Sequence, residues 1–138
     1  MTAHPVPHQN AAVIRRPAKI AKPARIVLAL GNAPQQRLIQ EMFQANGWEV
    51  LVVHSPDEAR RWARKSRTVA TLLVDEPAKH ESGWLTCAKL LAEKPKHRVV
   101  ILGTKATPQA ERLAAFVGAA AYLPPGASEL AIARAVMG

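Results

Sequence analysis

Val69-Ala70-Thr71-Leu72-Leu73-Val74 is an almost unbroken apolar run, and Asp75-Glu76-Pro77 stops it. A run this short and continuous suits a strand buried on both faces, as in a parallel sheet. The segments on either side read as helices. Upstream, Ser55 is placed to cap, Pro56 fits a first helical turn, and Glu58 completes a capping box. That helix runs through Ala59, Trp62 and Ala63 to about Ser66. Downstream, a helix starts near Ser82-Gly83-Trp84, continues through Cys87, Leu90 and Leu91 to Ala92, and is ended by Lys94-Pro95.

The same alternation extends outward in both directions. Ile26-Val27-Leu28-Ala29-Leu30 is a first strand, and Leu38, Met42 and Phe43 follow at helical spacing, with Ile39 beside them. That helix closes near Asn46-Gly47, and a second strand covers Glu49 to Val53. After the third helix, Arg98 to Leu102 is a fourth strand. Thr107-Pro108 then opens a helix with Leu113, Phe116 and Val117 on its apolar side, closed by Gly118. A weaker fifth strand, Ala120 to Leu123, leads through Pro124-Pro125-Gly126 to a last helix. Ser128 caps that helix, and Leu130, Ala133, Val136 and Met137 are expected to face inward. Five strands alternating with five helices predict an α/β domain over residues 25–138 with a five-stranded, doubly wound parallel sheet. The flavodoxin-like order 2-1-3-4-5 is the usual solution.

Composition removes several classes. Of 138 residues 49% are hydrophobic, enough for a core, yet no apolar run approaches the ~20 residues of a membrane span. The single cysteine, Cys87, forms no internal disulfide and is expected to be a buried structural thiol. The net charge of +9 is uneven: residues 1–25 hold five basic and no acidic residues, which leaves +4 for the rest. Residues 1–24 read as a basic, proline-containing, disordered tail without the apolar stretch of a secretory signal. Such a tail is either a solvated segment or an arm for nucleic acid, anionic lipid or an acidic partner. The chain is expected to be cytoplasmic.

In a sheet of this kind ligands sit beyond the carboxyl ends of the strands. Asp75 lies at such an end, where a carboxylate serves as nucleophile, metal ligand or base, or simply caps the turn before Pro77. Here the sequence resembles the receiver domain of bacterial response regulators, over about residues 25–138. Asp75 with Gly83 eight residues later resembles that family's phospho-acceptor and the glycine opening its third helix. Val100-Ile101-Leu102-Gly103-Thr104 resembles the strand that ends in the switch threonine. Gly118 to Leu123 resembles the glycine-alanine run with its switch aromatic, here Tyr122.

The resemblance implies a signal-transduction module of two-component phosphorelays, binding Mg²⁺ only if Asp75 is phosphorylated. The departures point elsewhere. Leu30-Gly31 stands where the family keeps an acidic pair, with only Asn32 next door, and Pro124-Pro125 replaces its lysine; Lys105, beside Thr104, is the nearest substitute. With Asp75 alone, little holds the cation that neutralises charge on a transferred phosphoryl group. The expectation is a stand-alone, degenerate pseudo-receiver: not an enzyme, without metal or cofactor, acting through a signalling protein partner. The resemblance places output on about residues 108–138, where Ala114 to Ala121 would suit a homodimer. A working phospho-receiver using Asp75 is the first alternative.

The second alternative is nucleic-acid association through the tail and the second helix. Arg60, Arg61, Arg64, Lys65 and Arg67 put five charges within eight residues. Helical spacing groups Arg60, Arg64 and Arg67 on one side and Arg61 and Lys65 on the next, as a docking face or a solvated one, with Trp62 partly buried. The five histidines, His4, His8, His54, His80 and His97, show no metal-ligand spacing, and no glycine-rich phosphate loop is present.

Overall fold

A computed structural model describes residues 23–31, 34–77 and 79–138. Its elements run β1 (Arg25–Ala29), α1 (Gln35–Ala45), β2 (Glu49–Val52), α2 (Pro56–Ala63), β3 (Thr68–Val74), α3 (Gly83–Glu93), β4 (Arg98–Leu102), α4 (Pro108–Val117), β5 (Ala121–Leu123) and α5 (Glu129–Met137). The strands form one sheet in the order β2-β1-β3-β4-β5, and every pairing is parallel. The doubly wound expectation is met. The predicted tail, residues 1–24, lies outside the described residues apart from Pro23 and Ala24.

Alternation within the strands divides the core between the faces of the sheet. Ile26 and Leu28, Ala70 and Leu72, and Val100 meet Ile39 and Phe43 of α1 and Ile132, Ala133 and Val136 of α5. Leu73, Val99 and Ile101 meet Cys87 and Leu90 of α3 on the other face, where Val27 packs with Ala59 of α2. Each fully buried large apolar side chain contributes roughly 1.5–3 kcal/mol.

The expected caps form. Ser55, Ser82, Thr107 and Ser128 accept from the amides of Glu58, Leu85, Ala110 and Ala131 at 3.1–3.2 Å. Glu58 reaches back to the amide of His54 at 3.0 Å, one residue earlier than a regular capping box. Gly118 closes α4 at φ 89°, a left-handed conformation that glycine adopts without strain. No helix among the described residues is long and apolar enough to cross a membrane.

Expectations about four helices are corrected. α4 buries Ala114, with Ala110 and Val117 half-buried beside it. This small-residue stripe turns Leu113 outward and leaves Phe116 86% exposed. In α1 the buried stripe is Ile39 and Phe43, and Leu38 faces solvent; in α5 it is Ile132, Ala133 and Val136, with Leu130 and Met137 outside. The fourth correction concerns the basic segment. α2 ends at Ala63, so Arg64 is its C-cap and Lys65 and Arg67 lie beyond the helix. The two-stripe grouping of the five cations therefore does not exist.

Candidate functional site

Asp75 follows the last residue of β3 and is only 2% exposed. Its backbone is fixed first: its amide donates to Leu102 O at 3.2 Å and its carbonyl accepts from Gly83 N at 2.7 Å. Gly83 is required there because a Cβ would collide with Val74 O. Glycine thus lets the first turn of α3 close on the end of β3.

The carboxylate is then surrounded by donors. Glu76 N donates to Oδ1 at 2.7 Å and Thr104 N to Oδ2 at 3.0 Å. Thr104 Oγ1 lies 3.0 Å from Oδ1 and 3.3 Å from Oδ2. Tyr122 Oη lies 3.2 Å from Oδ2 and 2.6 Å from the carbonyl of Lys105, so one proton serves two acceptors. Asp75, Thr104 and Tyr122, singled out separately in the sequence, thus meet in one cluster. The register that pairs Leu73 with Ile101 and Ile101 with Tyr122 sets their three strand ends side by side.

Tyr122 is held by its whole ring. It stacks on Trp84 with centroids 5.5 Å apart and planes 20° from parallel. Its hydroxyl end occupies the space where a Cβ on Gly103 would stand. Burial first, and then the neighbouring Asp75 carboxylate, raise the phenol above its ordinary range, so it remains a donor. The sequence reading placed Trp84 at the start of α3 but did not foresee that it clamps the tyrosine.

The described residues at this site do not fit a Mg²⁺ ion. Both Asp75 oxygens already accept protein hydrogen bonds. Beyond β1 stand Leu30, buried, and Gly31, neither with a side-chain oxygen; Asn32 lies outside the described residues. Mg²⁺ needs octahedral oxygen ligands with carboxylates among them. Among the described residues no three His, Cys, Asp or Glu side chains form a metal-holding group. Pro124 and Pro125 are exposed after β5. Lys105 turns to Glu76, 3.7 Å away, rather than into the cluster.

The basic residues are dispersed into pairs. Arg64 meets Glu93 at 2.7 Å, and Arg60 meets Asp57 at 3.3 Å and Glu93 at 3.8 Å. Arg67 meets Glu49 at 3.0 Å. Arg61 and Lys65 are exposed and have no ion pair among the described residues. Trp62 is half-buried with the Arg25 guanidinium 4.9 Å over its ring. Cys87 is buried, and burial pushes its thiol up to about 11. A small cleft of about 40 Å³ at the carboxyl ends of β1 to β3 has Ala29, Val53, Leu73, Val74, His54 and His80 among its lining residues.

No protein-family model and no curated protein sequence matches the chain. Solved structures do. A response regulator from Burkholderia pseudomallei, with a phosphorylated aspartic acid, a calcium ion and citrate, superposes with a TM-score of 0.72 at 21% identity, over 82% of this chain and 66% of its own length. A response regulator receiver domain from Clostridium thermocellum gives 0.72 at 21%, over 82% of this chain and 90% of that one. The chemotaxis protein CheY4 of Vibrio cholerae gives 0.71 at 16%, over 81% and 94%. The chain therefore spans just under two thirds of the first protein and most of the other two. The fold of this chain is the CheY-like receiver fold.

Proposed function

We propose that this chain, carrying the receiver fold, is a cytoplasmic signal-transduction module, a degenerate receiver acting through protein–protein contact without Mg²⁺-dependent aspartyl phosphorylation. One observation carries the reading: the Asp75 carboxylate is consumed by Glu76 N, Thr104 N, Thr104 Oγ1 and Tyr122 Oη, and no second carboxylate stands at the β1 end. A carboxylate that attacks phosphorus needs a free lone pair and a cation against the developing charge. Here both oxygens already accept, four donors facing the roughly four lone-pair sites of the carboxylate. Thr104 and Tyr122, switch residues by resemblance, act as fixed partners of a carboxylate.

The output surface fits residues 108–138. Phe116 is 86% exposed, with Leu113 exposed on the same helix and Leu130 exposed on α5. An uncovered aromatic beside leucines is the usual anchor of an interface, with a signalling protein or with a second copy of this chain.

The test is direct. Incubation with acetyl phosphate or phosphoramidate and Mg²⁺, followed by intact mass measurement, is expected to show no added phosphoryl group. A stoichiometric adduct that disappears in Asp75→Asn overturns the proposal in favour of a working phospho-receiver.

A further inference from the structure

All five strands begin at one end of the molecule, and the helices finish there. On the α2 and α3 side of that end, cations outnumber the carboxylates that meet them. Glu49 serves both Arg25 and Arg67, and Glu93 both Arg60 and Arg64, with Asp57 sharing Arg60. Lys94 and Arg98 are directed at carbonyls, Lys94 at Ala63 O and Thr68 O and Arg98 at Ala135 O, so no carboxylate cancels their charge. Ala63 O and Ala135 O are carbonyls left open at helix ends and Thr68 O opens β3, so these two cations need no further explanation.

Arg61, Lys65 and Lys96 do. They are exposed, and among the described residues they meet neither carboxylate nor carbonyl through their side chains. The chain also enters the sheet here. Arg67 Nη1 donates to Pro23 O at 3.4 Å. Arg15, Arg16, Lys19 and Lys22 precede that point, and residues 1–40 contain no acidic residue.

We propose that this end of the sheet docks the phosphate backbone of duplex nucleic acid. A phosphate array needs cations and no apolar anchor. A protein partner needs an apolar centre, and none of the exposed large apolar side chains belongs to α2, the turn after it or the α3–β4 connection. An unpaired strand would need an aromatic face for its bases. The tryptophans nearby offer none, because Trp62 lies under Arg25 and Trp48 is 5% exposed. The surface is separate from the Asp75 cluster, which lies at the opposite ends of the strands.

Fluorescence anisotropy of the whole chain with a random-sequence duplex of about 20 base pairs tests this. Binding is expected at about 50 mM salt, with log affinity falling against log salt at a slope of about −3 or steeper. The triple variant Arg61→Gln, Lys65→Gln, Lys96→Gln is expected to lose at least about tenfold in affinity and to flatten the slope by about 3. Arg37→Gln, Lys79→Gln, Arg112→Gln, with the same change in net charge elsewhere, is expected to cost less than about twofold. Several results overturn the proposal: no binding at low salt, equal losses in the two triple variants, tighter binding of a single strand of the same length, or equal binding to phosphatidylserine vesicles or polyglutamate.

Discussion

At the carboxyl end of β3 one carboxylate, Asp75, is held by two backbone amides and two hydroxyls. At the amino end of the same strand one ammonium, Lys94, is held by the carbonyls of Ala63, Lys65 and Thr68. The arrangements mirror each other in their backbone partners: amides of the loops after β3 and β4 hold the carboxylate, and carbonyls from the end of α2 to the start of β3 hold the ammonium. They differ in what surrounds them. The amino end adds ion pairs, Arg25–Glu49 at 3.2 Å and Arg67–Glu49 at 3.0 Å, and leaves spare cations outside. The carboxyl end adds a stacked aromatic pair, and its Lys105 is turned to Glu76 at 3.7 Å. One end is closed around a charge, whereas the other carries charge outward. Closure suits a site that no longer reacts, and surplus charge suits a surface that still binds.

The largest expected effect tests the closed end at its hinge. In Gly83→Ala the new Cβ meets Val74 O and C, which are backbone atoms and cannot turn away. α3 must lift from β3, and the Gly83 N to Asp75 O bond goes with it. A loss of about 4 kcal/mol in urea denaturation, or failure to fold, is expected. A loss below about 1 kcal/mol would mean that the closure is loose and the site can rearrange.

The next effect belongs to the amino end. His97 is 5% exposed, with Nε2 2.7 Å from Thr71 Oγ1 and Nδ1 without a partner among the described residues. Burial, and after it the charge of Lys94, pulls it down to about 4, against an ordinary value near 6.5. The folded protein therefore keeps His97 neutral where the unfolded chain takes up a proton. Its contribution is complete above pH ~6.5 and is lost as pH falls through ~4. Between those limits the wild type is expected to lose up to about 3 kcal/mol more than His97→Gln, which can still bond Thr71 but does not titrate. Parallel pH profiles in denaturant melts would break the contrast, by showing that the amino end tolerates a further positive charge.

The fold was legible wherever a residue's local role and its global role agreed. Apolar runs such as Leu72-Leu73-Val74 and capping residues such as Ser55 and Ser82 work the same way in a peptide and in the protein. The helix faces of α1, α4 and α5 were legible only in part. Hydrophobicity assigns Phe116 inward, but α4 buries the small Ala114 and turns the larger side chain out. In the site, the positions of Asp75, Thr104 and Tyr122 at strand ends followed from the strand runs. Their hydrogen bonds, and the lodging of Tyr122 against Gly103 and Trp84, depend on register between strands far apart in sequence. The pairing of the basic run was hidden for the same reason, because Glu49 and Glu93 lie 18 and 29 residues from Arg67 and Arg64.

The smallest of these effects is the most specific. Asp75→Asn keeps the shape of the side chain but replaces one oxygen by an NH₂ group. Oδ1 faces Glu76 N at 2.7 Å and Oδ2 faces Thr104 N at 3.0 Å. Either rotamer of the amide therefore sets its NH₂ against a backbone N–H, donor against donor, in a site 2% exposed. One backbone donor loses its partner, which costs about 2 kcal/mol. A carboxylate kept free for reaction would lose little on this substitution, since its oxygens would face solvent. Denaturation of Asp75→Asn beside the wild type at pH 7 thus separates a carboxylate that holds the two loops together from one held in reserve. A difference of about 2 kcal/mol supports the closed end, whereas a difference within about 0.5 kcal/mol would return Asp75 to the class of available nucleophiles.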